Sequence, residues 1–117
     1  MKATARTKDM TMLFAVTRMR GQAWDASKAL ESQQEWSEHA TFMNRLAADG
    51  FVVLGGPLGE SDDVLLIVDA RSADDIRATL AHDPWIQSQL IDIKSIQGWK
   101  ILLDHSEPEN SDRAPSG

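Results

Sequence analysis

The 117-residue sequence contains no cysteine. Without thiols the protein has no disulfide, no thiolate nucleophile, no iron–sulfur cluster and no cysteine-based zinc site. Long apolar segments are missing as well: the longest, residues 51–58, includes two glycines and a proline and is far shorter than the roughly 20 residues of a transmembrane helix. We therefore expect no membrane span. No apolar signal segment precedes the first predicted strand, so the expected location is the cytoplasm.

Positive charge is also scarce, with 12 Lys and Arg against 18 Asp and Glu and a net charge of −6. Nucleic-acid-binding proteins need a basic surface, so we expect no nucleic-acid partner. The three histidines do not share a metal-ligand spacing, and we predict neither a metal site nor a cofactor. Length and composition are typical of one globular domain.

This domain is predicted to occupy residues 10–104. It lies between a flexible N-terminal tail, residues 1–9, and a disordered C-terminal tail, residues 105–117. The second tail, HSEPENSDRAPSG, has no large apolar residue and two prolines, which is typical of segments that do not join a core.

Alternating and helix-periodic apolar residues predict six main elements in the order strand, helix, strand, strand, helix, strand. The predicted strands cover residues 10–19, 51–54, 64–68 and 91–103, with a bulge near Ser95 and Gln97 in the last. The first helix, residues 33–49, is predicted to begin at a capping box of Ser32 and Glu35 and to end at Gly50. The second begins at Ser72 and ends near His82, because Pro84 disfavours helical backbone before it. A short turn, residues 86–90, follows.

This order is the βαββαβ arrangement of a ferredoxin-like α+β fold, in which two helices cover one face of a four-stranded antiparallel sheet. The strands at residues 51–54 and 64–68 are continuously apolar and therefore need cover on both faces. A second copy packed sheet to sheet provides that cover, so we predict a homodimer. In the alternative, the last strand folds back and Trp99 covers part of the open face.

His39 is the most informative polar residue, because its helical angle falls within the apolar arc that also holds Met43 and Leu46. Histidine titrates nearest to neutral pH, which suits a general acid or base. Two carboxylates could orient it: Glu35, four residues earlier, and Asp83, which precedes Pro84 in an extended conformation. In the alternatives, His39 is a core histidine with one hydrogen bond and Asp83 only caps the turn that Pro84 begins.

A second candidate region is the Gly55, Gly56 and Pro57 segment, whose backbone N–H groups could meet an oxygen of a ligand. Alternatively, this segment is a hairpin turn that needs positive φ. The four tryptophans line an apolar pocket or fill the core and the dimer interface, and core filling is favoured for Trp36 and Trp99.

Three segments together resemble the YCII-related domain family: WSEHATFM at residues 36–43, DGFVVLGGPL at 49–58 and DPW at 83–85. The resemblance implies a ferredoxin-like α+β fold that dimerises into an α+β barrel. His39 and Asp83 match the family's histidine and aspartate pair. The resemblance further implies acid–base chemistry on a small cyclic or aromatic compound.

Two functional hypotheses follow. In the first, the protein is an enzyme of elimination or isomerisation, in which His39, oriented by Asp83, moves a proton on a small molecule held by Trp85 and the backbone of Gly55, Gly56 and Pro57. In the second, it is a catalytically silent ligand-binding or accessory dimeric module.

Overall fold

The computed structural model describes residues 11–105. The predicted tails, residues 1–9 and 105–117, lie outside these residues apart from His105, as does Met10. In chain order the elements are β1 (Met12–Arg20), a 3-10 turn (Leu30–Ser32), α1 (Trp36–Ala48), β2 (Val52–Pro57), β3 (Val64–Ala70), α2 (Ala73–Leu80), α3 (Pro84–Gln87) and β4 (Ile91–Gly98). None of these described helices is long and apolar enough to cross a membrane.

The four strands form one antiparallel sheet in the order β2-β3-β1-β4. The predicted ferredoxin-like α+β fold is therefore confirmed. The four-residue helix α3 begins two residues before the turn predicted at residues 86–90 and overlaps only its start. The predicted hairpin of the second and third strands is confirmed as well, because β2 pairs antiparallel with β3.

Both long helices pack against the same face of the sheet. Side chains at alternate positions of β1 and β3 form the core with residues from α1 and α2: Phe14, Val16, Leu66 and Val68 from the strands, and Leu46, Ile76 and Leu80 from the helices. Alternation places these strand residues on one face because successive strand side chains point to opposite sides. Burial of each such side chain stabilises the fold by about 1.5–3 kcal/mol.

The start of α1 differs from the prediction. The helix begins at Trp36, and Glu35 at its N-cap has φ 62° and no capping side chain, so the predicted capping box is wrong. Gln33 is instead extended and buried, and its amide donates to the carbonyls of Asp25 and Lys28 at 2.7 and 3.1 Å. These bonds hold the preceding loop and keep the helix from starting earlier. The C-terminal stop at Gly50 is confirmed, with φ 85°.

The second helix begins as predicted, because the Ser72 hydroxyl accepts a hydrogen bond from the Asp75 N–H at 3.1 Å. Two strand ends were predicted wrongly. β2 continues through Gly55 and Gly56 to Pro57, and neither glycine has positive φ, so this segment is not a hairpin turn. The loop lies at residues 58–63 instead.

β4 ends at Gly98 rather than at residue 103. The Trp99 N–H still donates to the carbonyl of Leu13 in β1, at 2.8 Å. Because β1 begins at Met12, it offers almost no further residues with which β4 could pair beyond this point. A bulge is present near the predicted position: Thr17 pairs with Ser95 and Arg18 with Ile93, which leaves Lys94 unpaired with β1.

Candidate active site

A cavity of about 640 Å³ lies between α1 and the inward face of the sheet. Small-molecule sites in proteins have volumes of roughly 300–1,000 Å³. The long loop between β1 and α1 forms another part of its wall, and the predicted site residues His39, Gly55, Gly56, Pro57 and Trp85 all line it. The cavity is therefore the candidate active site.

His39 lies in the first turn of α1 and is buried, with 9% of its surface exposed. Its Nδ1 lies 2.9 Å from both carboxylate oxygens of Asp83. A carboxylate accepts hydrogen bonds, so Nδ1 carries the hydrogen and donates it. The other ring nitrogen, Nε2, is thereby left for a molecule in the cavity.

Asp83 is fully buried, and its carboxylate forms hydrogen bonds with residues of both α3 and α1. It is the N-cap of α3, and its Oδ1 accepts a hydrogen bond from the Trp85 N–H at 2.9 Å. Its backbone is extended, with ψ 125° before Pro84, as expected for a residue that precedes proline. Asp83 therefore caps the turn and also contacts His39. Glu35, the other candidate partner of His39, instead accepts a hydrogen bond from the Ser88 hydroxyl.

Arg18 is a third ionisable residue of this cluster and was not among the predicted site residues. Its Nη1 donates to Asp83 Oδ2 at 3.1 Å, and its Nη2 lies 3.5 Å from the sulfur of Met43. Arginine is almost never buried without a partner, and here only 5% of the side chain is exposed. The signal was available, because Arg18 continues the inward alternation of Phe14 and Val16 along β1.

The electrostatics of this cluster favour an ionised carboxylate. Burial raises the pKa of Asp83. The hydrogen bond from His39, the charge of His39 when it is protonated, the Trp85 N–H and the Arg18 charge together outweigh burial and hold this pKa below its ordinary value of 3.8. Burial also lowers the pKa of the Arg18 guanidinium below its ordinary value, while Asp83 opposes that change. Asp83 is therefore an anion at neutral pH and orients the imidazole through Nδ1.

Three tryptophans cluster beside the histidine, two of them in ring contact with it. The Trp85 indole stacks on the His39 ring with centroids 3.8 Å apart and planes 6° apart. Trp24 meets Trp85 edge-on at 5.4 Å, and Trp36 is tilted against it at 5.7 Å. The preference for core filling was wrong: Trp36 is half-buried at the cavity wall, and 44% of Trp99 is exposed.

Gly55 allows the strand to lie close to the core. A Cβ added there would lie 2.8 Å from Cδ2 of Leu66, whereas a Cβ added to Gly56 would have no neighbour within 4 Å. Only a residue without a side chain fits at Gly55 without moving the buried Leu66. The two glycines and Pro57 thus form a thin strand wall on the cavity.

The model of the YCII-related domain matches residues 10–100. The chain belongs to the YCII-related domain family. The match covers every residue of the site, from Arg18 in β1 to Trp85 in α3. No group of three or more His, Cys, Asp or Glu in this YCII-related domain is arranged to hold a metal ion, within residues 11–105.

A solved structure with the same fold is the 5-chloro-2-hydroxyhydroquinone dehydrochlorinase TftG from Burkholderia phenoliruptrix AC1100, in complex with 2,5-dihydroxybenzoquinone. The TM-score is 0.56 and the sequence identity 23%, over 76% of this chain and 94% of that chain. None of the curated proteins matches this YCII-related chain.

Proposed function

We propose that this YCII-related protein is an enzyme in which His39, oriented by Asp83, acts as a general acid and base on a small cyclic or aromatic compound. The observation that carries the proposal is the 2.9 Å contact of His39 Nδ1 with Asp83, made by a histidine that lines a cavity of about 640 Å³. A base oriented by a carboxylate is the arrangement that proton transfer requires.

In the proposed reaction the neutral imidazole takes a proton from the substrate at Nε2, while its Nδ1–H stays hydrogen-bonded to Asp83. The carboxylate stabilises the imidazolium that forms, as an ionised partner does for other catalytic histidines. In an isomerisation the proton returns to a different substrate atom. In an elimination, the electron pair of the broken C–H bond forms a double bond, and the bond between carbon and the leaving group breaks so that the leaving group departs with that bond's electron pair. The proton on Nε2 is then released to solvent.

The likeness to TftG supports the substrate class. That protein is a dehydrochlorinase of a hydroxylated ring and was solved with a flat quinone. Here the half-buried Trp24 and Trp36 would contact a flat ring through their indoles. Aromatic pairs contribute about 0.5–1.5 kcal/mol beyond the burial of their area, which favours an aromatic substrate over an aliphatic one.

The test follows chlorinated and hydroxylated hydroquinones by proton NMR in heavy water, which detects elimination, isomerisation and hydrogen exchange together. We expect His39→Gln to lower turnover by about 10² to 10⁴. The matched control is His82→Gln, an exposed histidine on another surface, which should leave the rate unchanged. A loss below about threefold in His39→Gln contradicts a general acid–base role. Binding without turnover of any compound would favour the alternative, a catalytically silent ligand-binding module.

We also propose that the protein forms a homodimer through its sheet faces. In β1 and β3, the side chains that alternate with the core residues point to the other face of the sheet, which carries neither α1 nor α2. Ala15 and Leu65 are two of them. On that face Leu54 is 66% exposed, although Ile67 is buried. Light scattering should give the mass of two chains for the wild type and of one chain for Leu54→Lys. Ala78→Lys on the exposed surface of α2 is the control and should remain dimeric.

A further inference from the structure

The wall of the cavity has the opposite charge balance to the rest of the protein. Residues 11–105 contain eight Lys or Arg and fourteen Asp or Glu. Three of these cations line the cavity, Arg18, Arg20 and Lys28, whereas Asp62 is the one carboxylate from the described chain on its wall. A protein of net charge −6 thus concentrates positive charge where a ligand would bind.

The negative charges near the cavity are already paired. Asp83 lies behind the wall, fully buried, and Arg18 neutralises it at 3.1 Å. Asp62 pairs with Arg20 at 3.1 Å, and the Arg20 guanidinium also lies 4.6 Å from the centre of the Trp24 ring. An anion entering the cavity would therefore meet no unpaired carboxylate of the described wall.

Lys28 is the cation with the weakest partner on this wall. Its Nζ lies 3.9 Å from an oxygen of Asp25, and both side chains are about half exposed. Exposed pairs of this kind contribute little to stability. The ammonium can therefore turn to an anionic ligand without losing a strong interaction.

We infer that the ligand is a small planar organic anion: an aromatic or quinonoid ring that carries an ionised carboxylate or acidic hydroxyl group. Lys28 and Arg20 would contact its charge and the indoles of Trp24 and Trp36 its ring. This inference rests on the proposed function, because it names the substrate class of the same site. At physiological salt, interactions between exposed charges are largely screened beyond about 8 Å. The cations on the cavity wall therefore determine which ligand binds, and the net negative charge of the whole protein has little effect there.

The test compares two compounds of nearly the same shape, the anion 4-hydroxybenzoate and the neutral 4-hydroxybenzamide. Binding is measured by tryptophan fluorescence and by calorimetry at physiological salt. We expect the anion to bind at least about tenfold more tightly. Lys28→Met and Arg20→Met should each remove most of this preference, because each should weaken the binding of 4-hydroxybenzoate more than the binding of 4-hydroxybenzamide. Arg77→Met, which removes an exposed cation of α2 that does not line the cavity, should change neither affinity.

Equal affinities of the two compounds, tighter binding of the amide, or no saturable binding of either compound would overturn the inference. The same measurements on His39→Gln separate it from the proposed function. If the anion preference persists in both proteins while neither turns over any compound, the acid–base role fails and the ligand class holds. If the wild type turns over neutral compounds and shows no preference for the anion, the ligand class fails and the acid–base role holds.

Discussion

The imidazole of His39 lies flat on the indole of Trp85, with ring centroids 3.8 Å apart and planes 6° apart. Trp85 is itself fixed, since its Nε1–H donates to the Gln34 carbonyl at 2.7 Å and its backbone N–H donates to Asp83. The aspartate thus holds the imidazole at its edge through Nδ1, and the tryptophan two residues later holds it at its face.

Trp85 should be the most important of the four tryptophans for stability. Only 2% of it is exposed, and truncation of a buried tryptophan to alanine costs about 3–5 kcal/mol. Trp85→Phe keeps a ring against His39 but loses the Nε1 hydrogen bond, which should cost about 1 kcal/mol in addition to the lost volume. Urea denaturation measures both changes. Trp99→Ala, at a residue 44% exposed, is the control, and a loss as large as that of Trp85→Ala would contradict this assignment.

Asp83→Asn should change which ring nitrogen of His39 carries the hydrogen. In the wild type the carboxylate accepts from Nδ1, so the neutral ring keeps its lone pair on Nε2. An amide can donate to Nδ1 as well as accept, which weakens this preference. Nitrogen-15 chemical shifts of the labelled ring report the tautomer directly. Glu35→Gln is the control, because Glu35 contacts Ser88; a change in this variant instead would make Glu35 the orienting group.

Local patterns were sufficient to predict much of the fold and the placement of His39 and Asp83, whereas the choice of Asp83 over Glu35 as the partner came from the family resemblance. The helical spacing of apolar residues predicted that His39 points inward, and it is buried. The proline after Asp83 predicted an extended aspartate, and that backbone presents the carboxylate to the imidazole. Both features depend on a few neighbouring residues, which is why one sequence contains enough information to predict them.

The features that were missed depend on contacts between distant residues. The start of α1 is set by Gln33, whose amide reaches back to Asp25 and Lys28, and no local capping pattern reports such bonds. The burial of Arg18 requires Asp83, 65 residues later in the chain. Alternation along β1 indicated the direction of Arg18, but only tertiary structure supplies its partner.

Arg18 and Arg20 provide a direct comparison of a buried and an exposed ion pair. Both lie 3.1 Å from an aspartate, but the side chains are 5% and 0% exposed for Arg18 and Asp83, against 42% and 63% for Arg20 and Asp62. Breaking a buried pair leaves a buried charge and costs about 3–5 kcal/mol. Exposed pairs contribute about 0–1 kcal/mol, and the contact of Arg20 with Trp24 adds about 0.5–1 kcal/mol.

Arg18→Met should therefore destabilise the protein by at least about 2 kcal/mol more than Arg20→Met. Chemical denaturation of the two variants measures the difference. A second comparison, Arg18→Met combined with Asp83→Asn, should cost less than the sum of the single changes, because the uncompensated charge is gone. Equal losses in the two single variants, or additive losses in the double variant, would contradict a strong buried pair.

Stability should fall in acid through Asp83. Its pKa lies below 3.8 in the folded protein, so the unfolded chain takes up the proton first as the pH decreases. The stabilisation is therefore complete above about pH 4 and is lost as the pH falls through the folded pKa. The wild type should lose more free energy of unfolding than Asp83→Asn across this range, as measured by urea denaturation at successive pH values. Parallel curves would show that Asp83 does not couple to folding.

The two glycines of β2 offer a test of the close packing at the cavity wall. Both have extended backbone without positive φ, so alanine meets no backbone strain at either position. At Gly55 the new methyl group would lie 2.8 Å from Cδ2 of Leu66, a residue only 3% exposed, whereas at Gly56 nothing lies within 4 Å. Overpacking a core costs about 1–3 kcal/mol.

Gly55→Ala should thus lower the free energy of unfolding by about 1 kcal/mol or more, because Leu66 has little room to move. Gly56→Ala should be neutral or slightly stabilising, since alanine reduces the entropy of the unfolded chain. Denaturation curves for the two variants provide the measurement. Part of the loss should be recovered in a Leu66→Val background, where Gly55→Ala should cost less than in the wild type because the methyl that clashes is gone. Without that recovery, the effect of Gly55→Ala would come from the strand itself and not from its contact with the core.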